Sequence, residues 1–474
     1  MQAVSATIAI IGGGFSGTVL AANLLRRPPA TPTRILLFER AGRIGCGVAY
    51  APACYPFQLN VPAGRMSALS YEPMHLLDYA RRRLPQVDAD TYLTREFYGQ
   101  YLGDFLQAAE LAAPLHVKLE RIHGEVNALR PQRAHGPIQV QLADQAWLAH
   151  QVVLACGDPS PVTRPYALEV AHLPGYVRDP YAADAVAAIG SDERSLLLVG
   201  TGLTMIDLAV AAAAANPGLR ITALSRHGRL PQTQSPHSHA PVLEVQSDLH
   251  GLPASRSVAA AAKALRRLVD EALQAGGDWR EAITRARDCV PTIWQNFNET
   301  ERRRFLRHAR VYWDTSRHRM PPDLAARIAE LRRSGRLQVY AGRILRLQAE
   351  GRRILAHWRP RGARGLETQR ADRVIDCSGP DRRLERTADP LWRQLLDAGL
   401  VHADSTGLGL RTGPLGAVID ASGRLSHQIF YLGPMLRATY WEATAVGELR
   451  ARAETLAAAL TSREPKLSAE TDAA

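Results

Sequence analysis

Lysine is nearly missing from this chain. All but three of its 58 basic residues are arginine, the exceptions being Lys118, Lys263 and Lys466. The formal charge of +12 therefore comes from arginines scattered beside abundant alanine. The densest stretches, at 81–83, 302–310 and 352–364, are accompanied by no aromatic-interleaved single-strand platform and no helix-turn-helix pattern, which argues against a nucleic-acid partner. They read as solvated faces that also draw anionic cofactors and substrates toward the protein. Long apolar runs are missing too: no stretch of about 18 apolar residues occurs, so no membrane partner is expected. No basic segment precedes the first apolar strand, so no signal peptide is expected and the location is expected to be cytoplasmic. Cysteine is scarce. Cys46, Cys54, Cys156, Cys289 and Cys377 are odd in number and widely spaced, giving neither a disulfide framework nor a zinc pattern. His237 and His239 have ligand-like spacing, but their proline- and glutamine-rich loop makes them a solvated pair, and no metal is expected.

Glycine, by contrast, marks two strand-to-helix turns. GGGFSG (Gly12–Gly17) follows the apolar run 7–11 and opens an Ala/Leu-rich helix reaching about Arg27. GTGLTM (Gly200–Met205) is entered from 196–199 and continued by 206–215. In each, the first glycine permits the tight turn and the second lets a pyrophosphate approach the backbone. The helix start then offers free N–H groups and partial positive charge to phosphates. The cofactor-binding candidates are thus Gly12, Gly14, Phe15, Ser16 and Gly17 in the first turn, and Gly200, Gly202, Leu203 and Thr204 in the second. The strands that follow end differently. Residues 34–38 read as a strand closed by Glu39 and Arg40, where an acid accepts from a ribose 2′-OH, as in FAD. Residues 219–224 end in Ser225-Arg226-His227-Gly228, and a guanidinium there suits the 2′-phosphate of NADPH. Two nucleotides follow: a flavin that stays and a nicotinamide that visits.

The pattern along the chain predicts an α/β fold of two Rossmann-like dinucleotide-binding domains, for FAD and NADPH, with a helical insertion in the second. The FAD domain spans 1–165 and returns at 381–460; the NADPH domain spans 190–380, with the insertion at about 229–322; 461–474 is a flexible tail. The strand 151–155 runs into LACGDPSP, whose Gly157 lets the chain pass beneath a dinucleotide. A second crossover, 371–380, contains Gly379. Residues 161–188 read as a linker, 231–241 as a Pro/His-rich loop, 256–308 as helices and 337–340 as a strand. The last pieces are a strand at 428–432, the turn Gly433-Pro434, and a helix from about Tyr440 that includes Thr444.

Taken together, GGGFSG, GCGVAY (45–50), LNVPAGRMS (59–67), TREFYGQYL (94–102), GTGLTMID (200–207), SRHG, YWDTSRHRMPP (312–322), DCSGP and LGPMLRATYWEATAV (432–446) resemble the two-dinucleotide-binding-domain flavoproteins. Among these the chain is similar to bacterial FAD/NAD(P)-binding proteins related to N-hydroxylating flavin monooxygenases. The resemblance runs to about residue 460 and implies an enzyme using FAD, NADPH, molecular oxygen and a small-molecule substrate. The favoured activity is hydroxylation of nitrogen in a small amino acid or amine. Two alternatives stay open: an oxidoreductase passing electrons to a quinone or protein acceptor, and a non-catalytic redox sensor. A homodimer is allowed. The F-x-G-x3-H-x3-[YFW] signature of related monooxygenases is broken: LPGYVRDPYA keeps Gly175 and Tyr181 but lacks the histidine. Gly433 precedes proline, not the aspartate many flavoproteins carry. Cys46 and Cys54 have the wrong spacing for a Cys-x4-Cys redox pair and read as small buried hydrophobes. Asn60 and Arg65, with Met66, are candidates for the isoalloxazine face. Arg317 and Arg319 form a candidate carboxylate clamp beside Trp313 and His318; the alternative is a basic helix end facing its own carbonyls.

Overall fold

The structure, a computed structural model, describes residues 6–53, 55–133, 136–182, 185–187, 189–190, 192–235 and 249–462. Cys54, His237, His239 and the tail from residue 463 lie outside the described residues. The chain divides into two compact units. One comprises Met1–Pro52, Pro62–Ser160 and Asp381–Ala474; the other comprises Ala53–Val61 and Pro161–Pro380.

The first unit is built on a six-stranded sheet. Its spatial order is Ala417–Ile419, Leu425–Tyr431, Gln151–Leu154, Ala6–Ile11, Thr33–Glu39 and Val117–His123. Only the first pairing is antiparallel. ATIAII and TRILLFE are near-continuous apolar runs because both faces of a parallel sheet are covered; Ile10 pairs with Leu37 and Val153. The fingerprint helix Phe15–Arg26 is buried from Phe15 to Leu25. It packs against helices Arg95–Leu111 and Val446–Thr461. The Thr94 side chain caps the former by accepting from Phe97 N at 3.2 Å. The latter begins at Val446, not near Tyr440: Tyr440–Ala445 form turns around the buried Trp441 and Glu442.

The second unit repeats the parallel frame in the order Tyr176–Val177, Arg373–Asp376, Ser195–Val199, Arg220–Ser225 and Leu337–Glu350. The last of these is far longer than the expected 337–340. After pairing with Arg220–Ser225 it passes an irregularity between Ile344 and Arg346 and forms an antiparallel hairpin with Arg353–Pro360. Its period-two burial beyond Tyr340 is that of a one-sided sheet. Residues expected as a linker belong to this unit, because Tyr176–Val177 adds an edge strand beside Arg373–Asp376. Between 229 and 322 stand helices Val258–Gln274, Trp279–Arg287, Val290–Asn296, Glu299–Arg304 and Arg310–Arg317, with a π turn at Phe305–Ala309. Ser257, Asp278 and Asn298 cap three of them through their side chains.

Candidate nucleotide sites

In the first unit Gly12 has φ +109°, and a Cβ on it would stand 2.5 Å from the Ala155 carbonyl oxygen. Only glycine lets the fingerprint turn pass so close to the crossover strand. Gly17 is equally constrained, since its Cβ would lie 1.9 Å from Gly12 O. Gly14 is different: its Cβ would meet only the Gly47 backbone, at 3.4 Å from Cα and 3.9 Å from N, ordinary contacts. It precedes a helix with no side-chain cap and no acid in its first turn, which leaves the N–H groups there for an anion. Phe15 and Ser16 are buried in that turn, with Phe15 stacked on Tyr98.

Glu39 is buried at the rim. Its carboxylate accepts from Gly13 N at 2.7 Å and Ala41 N at 2.8 Å. No cation pairs with it among the described residues, so its remaining lone pairs suit ribose hydroxyls. Arg40 points away into an ion pair with Glu125 at 3.1 Å. Beneath the turn, nothing lies within 4 Å of where a Gly157 side chain would start. The loop it belongs to is held by Arg382, which grips Asp158 at 2.5 and 2.8 Å. Tyr431 holds it too, donating its hydroxyl to Gly157 O at 3.0 Å. That same hydroxyl would lie 2.6 Å from a Gly433 Cβ. Gly433 therefore has a packing reason to be glycine, which the cofactor-contact expectation did not include. Met66 is buried beside the exposed Arg65, at the end of the 3-10 turn Ala63–Arg65. Thr444 stands just before helix Val446–Thr461.

The second unit repeats the arrangement. Gly200 has φ +121°, and its Cβ would be 2.5 Å from the Cys377 carbonyl oxygen. Gly202 has φ −82°, and nothing lies within 4 Å of its missing side chain. Neither strain nor crowding within the protein asks for glycine there, and the open space leaves room for a bulky anion to approach the backbone. Leu203 and Thr204 open the uncapped helix Leu203–Ala215. Tyr181 lays its hydroxyl 3.0 Å from Thr204 Oγ1. Gly379 also borders open space, and its carbonyl accepts from Arg164 at 2.6 Å. Ser225 Oγ lies 2.8 Å from Thr201 Oγ1 and accepts from Gly228 N at 3.0 Å. It thereby fixes the loop that carries the exposed Arg226.

Asn60 and Arg319 both belong to the second unit and meet through a residue the sequence did not single out. Arg319 Nε donates to Gln234 Oε1 at 2.9 Å, and Gln234 Nε2 donates to Asn60 O at 3.1 Å. The two other nitrogens of Arg319 reach Arg280 O and Thr284 Oγ1, both at 3.4 Å. Arg319 is buried and directed into the insertion, whereas Arg317 is half-buried at the end of helix Arg310–Arg317. Helix Arg310–Arg317 ends between the two arginines expected as a clamp, and Arg319 bonds to Gln234, Arg280 and Thr284.

The thiols are quiet. Burial pushes Cys156 up to about 12 and Cys377 well above the usual thiol value. Gln234, Tyr181, Tyr431 and Arg164 were missed because each acts through a tertiary contact that leaves no local pattern; only Tyr181 had a motif trace.

Comparison with known proteins fits this geometry. Residues 9–159 match the family model described as FAD-NAD(P)-binding. No curated protein matches the chain. The fold is similar to L-lysine 6-monooxygenase from Pseudomonas syringae, with TM-score 0.62, 15% identity, and coverage of 96% of this chain and 98% of that one. It is similar to the FAD-bound cadaverine monooxygenase of desferrioxamine biosynthesis from Erwinia amylovora, with TM-score 0.62, 13% identity and 98% of both chains covered. It is also similar to the ornithine N-hydroxylase of Kutzneria sp. 744 with reduced FAD, NADP+ and L-ornithine, with TM-score 0.59, 15% identity, and 95% and 97% covered. At such identities the likeness is one of fold: the chain has the α/β architecture of two Rossmann-like parallel sheets. Among the described residues no helix is long and apolar enough to cross a membrane.

Proposed function

We propose that this protein is an NADPH-dependent FAD monooxygenase that hydroxylates the nitrogen of a small amino acid or amine. The observation that carries the reading is the pair of glycine cradles with opposite rims, the acid Glu39 in the first and Arg226 in the second, together with open space over Gly202. Support for nitrogen as the target is the near-full-length fold likeness to enzymes named for lysine, ornithine and cadaverine. Bound FAD supplies hydride acceptance and reductive activation of oxygen. The chain's own part is positioning. Gly14 and the helix start behind it take the FAD pyrophosphate, Glu39 takes the adenosine ribose, and Gly157 leaves room beneath. Gly202 and Thr204 take the NADPH pyrophosphate, and Arg226 takes its 2′-phosphate. Asn60, Arg65 and Met66 are proposed near the isoalloxazine. Arg317 remains a candidate for a substrate carboxylate, while Arg319 acts as a positioning residue through Gln234 and Asn60. Acidic amino acids head the substrate panel because the insertion is rich in arginine.

The test is to supply the FAD-loaded protein with NADPH, isotopically labelled oxygen and a panel of amino acids and diamines. The expected result is faster NADPH oxidation with one substrate and the label recovered in a hydroxylamine or its further oxidised product. NADPH oxidation indifferent to every substrate, with all oxygen recovered as hydrogen peroxide, overturns the proposal.

A further inference from the structure

Around the end of strand Arg220–Ser225 the second unit gathers cations with no carboxylate paired to them among the described residues. Arg361, just after strand Arg353–Pro360, donates its Nη1 to Nδ1 of His227 at 2.6 Å. A guanidinium only donates, so Nδ1 accepts and the imidazole carries its proton on Nε2. Burial first, then the charges of Arg361, Arg226 and Arg229, hold His227 below the ordinary histidine value, so it is neutral near pH 7. Those three arginines are the charged groups that face it. Arg229 lies over the Tyr312 ring, 4.3 Å from its centre. Among the described residues none of the three has a carboxylate partner. The backbone, more than side-chain reach, builds this meeting. Gly228 has φ +61°, and a Cβ on it would stand 3.1 Å from Ala341 N and Cβ. The loop thus lies directly on strand Leu337–Glu350, and Arg361 N donates to Ala341 O at 2.8 Å on the same strand.

We propose that Arg361 and the outward Nε2–H of His227 complete, with Arg226, a binding site for the 2′-phosphate of the nicotinamide nucleotide. Arg226 follows the nucleotide strand; Arg361 arrives from the antiparallel hairpin that the second unit adds to its parallel frame. Arg361 does two things there. It supplies a second guanidinium to a dianion, and it fixes the His227 tautomer so that an N–H, not a lone pair, faces the phosphate. The inference rests on reading the second unit as the NADPH site, and it adds a determinant of NADPH choice outside the glycine fingerprint.

The experiment measures equilibrium binding of 2′,5′-ADP and of 5′-AMP to the FAD-loaded protein, for the parent and for Arg226→Ala, Arg361→Ala, Arg361→Lys, His227→Gln and His227→Phe. Arg361→Ala is expected to weaken 2′,5′-ADP by about tenfold to a hundredfold and to leave 5′-AMP unchanged. Arg361→Lys, which keeps the charge but loses the fork, recovers only part. His227→Gln, which keeps an N–H donor, binds better than His227→Phe. If Arg226→Ala loses 2′,5′-ADP while Arg361→Ala does not, the inference falls and the NADPH reading stands. Equal weakening of both ligands by Arg361→Ala makes it a hairpin-stabilising residue and also overturns the inference. A parent that binds 2′,5′-ADP no more tightly than 5′-AMP overturns the NADPH reading and the inference together.

Discussion

Each unit sets five parallel strands with the fingerprint strand in the middle, and in both the first fingerprint glycine sits where a Cβ would be 2.5 Å from a crossover carbonyl. The edge strand beside the crossover comes last of the five along the chain in the first unit (Leu425–Tyr431) and first in the second (Tyr176–Val177). They part company at the rim. In the first, Glu39 is buried and its carboxylate is tied to two backbone N–H groups. In the second, the equivalent strand ends in an exposed arginine beside His227 and Arg361. The additions differ as well. The first unit carries a separate three-stranded sheet of Ala128–Pro131, Ile138–Leu142 and Gln145–Ala149, whereas the second extends a frame strand into its hairpin. On the reading proposed above, the frame offers a pyrophosphate site in both units and the residue at the end of the second strand selects the nucleotide.

The sharpest way to break that equivalence is to attack the shared turn. Gly12→Ala and Gly200→Ala should each destabilise their own unit by on the order of 3 kcal/mol, since each adds a carbonyl clash to a left-handed backbone. Thermal melting followed by limited proteolysis should show the damage confined to the altered unit; a shared loss of equal size would mean that the frames do not stand separately.

Smaller in stability but decisive for ligands are the second glycines. Gly202→Ala meets no protein atom, so its melting should stay within about 0.5 kcal/mol of the parent. NADP+ affinity should nevertheless fall by about tenfold. Gly14→Val should likewise fold and lose most of its FAD, read from the flavin-to-protein absorbance ratio; full flavin occupancy would remove the pyrophosphate from that turn.

Glu39→Ala leaves two N–H groups without their acceptor and should cost about 1–3 kcal/mol of stability besides weakening FAD retention. Glu39→Gln should recover the stability more fully than the retention.

The least disruptive comparison uses the thiols that each unit keeps in its crossover loop. With Cys156 raised to about 12 and Cys377 also far above the ordinary value, both stay protonated at about pH 8 and should resist iodoacetamide until the protein unfolds. Rapid native labelling of either would mean that its loop opens.

Much of this was legible in the sequence because parallel strands and glycine turns leave local traces: 7–11, 34–39 and 196–199 are apolar runs that lead into marked positions. What was hidden depends on tertiary partners. The two-residue strand Tyr176–Val177 is too short for a period, and the long strand alternates buried with exposed residues from Leu337 on, so it lacks the continuous apolar run that marks the other frame strands. The bonds of Arg319 to Gln234, Arg280 and Thr284 likewise leave no local trace. The pairing of Arg361 with His227 joins residues 134 positions apart and has no local signature.

The measurement that bears most directly on the account is the rate of flavin reduction by NADPH and by NADH, in the parent and in Arg226→Ala. Cofactor choice at the second rim predicts a parent that favours NADPH. In the variant, kcat/KM for NADPH should fall by about 1–3 kcal/mol in transition-state terms, while the NADH value is unchanged. Equal losses with both nucleotides, or a parent indifferent between them, would contradict it.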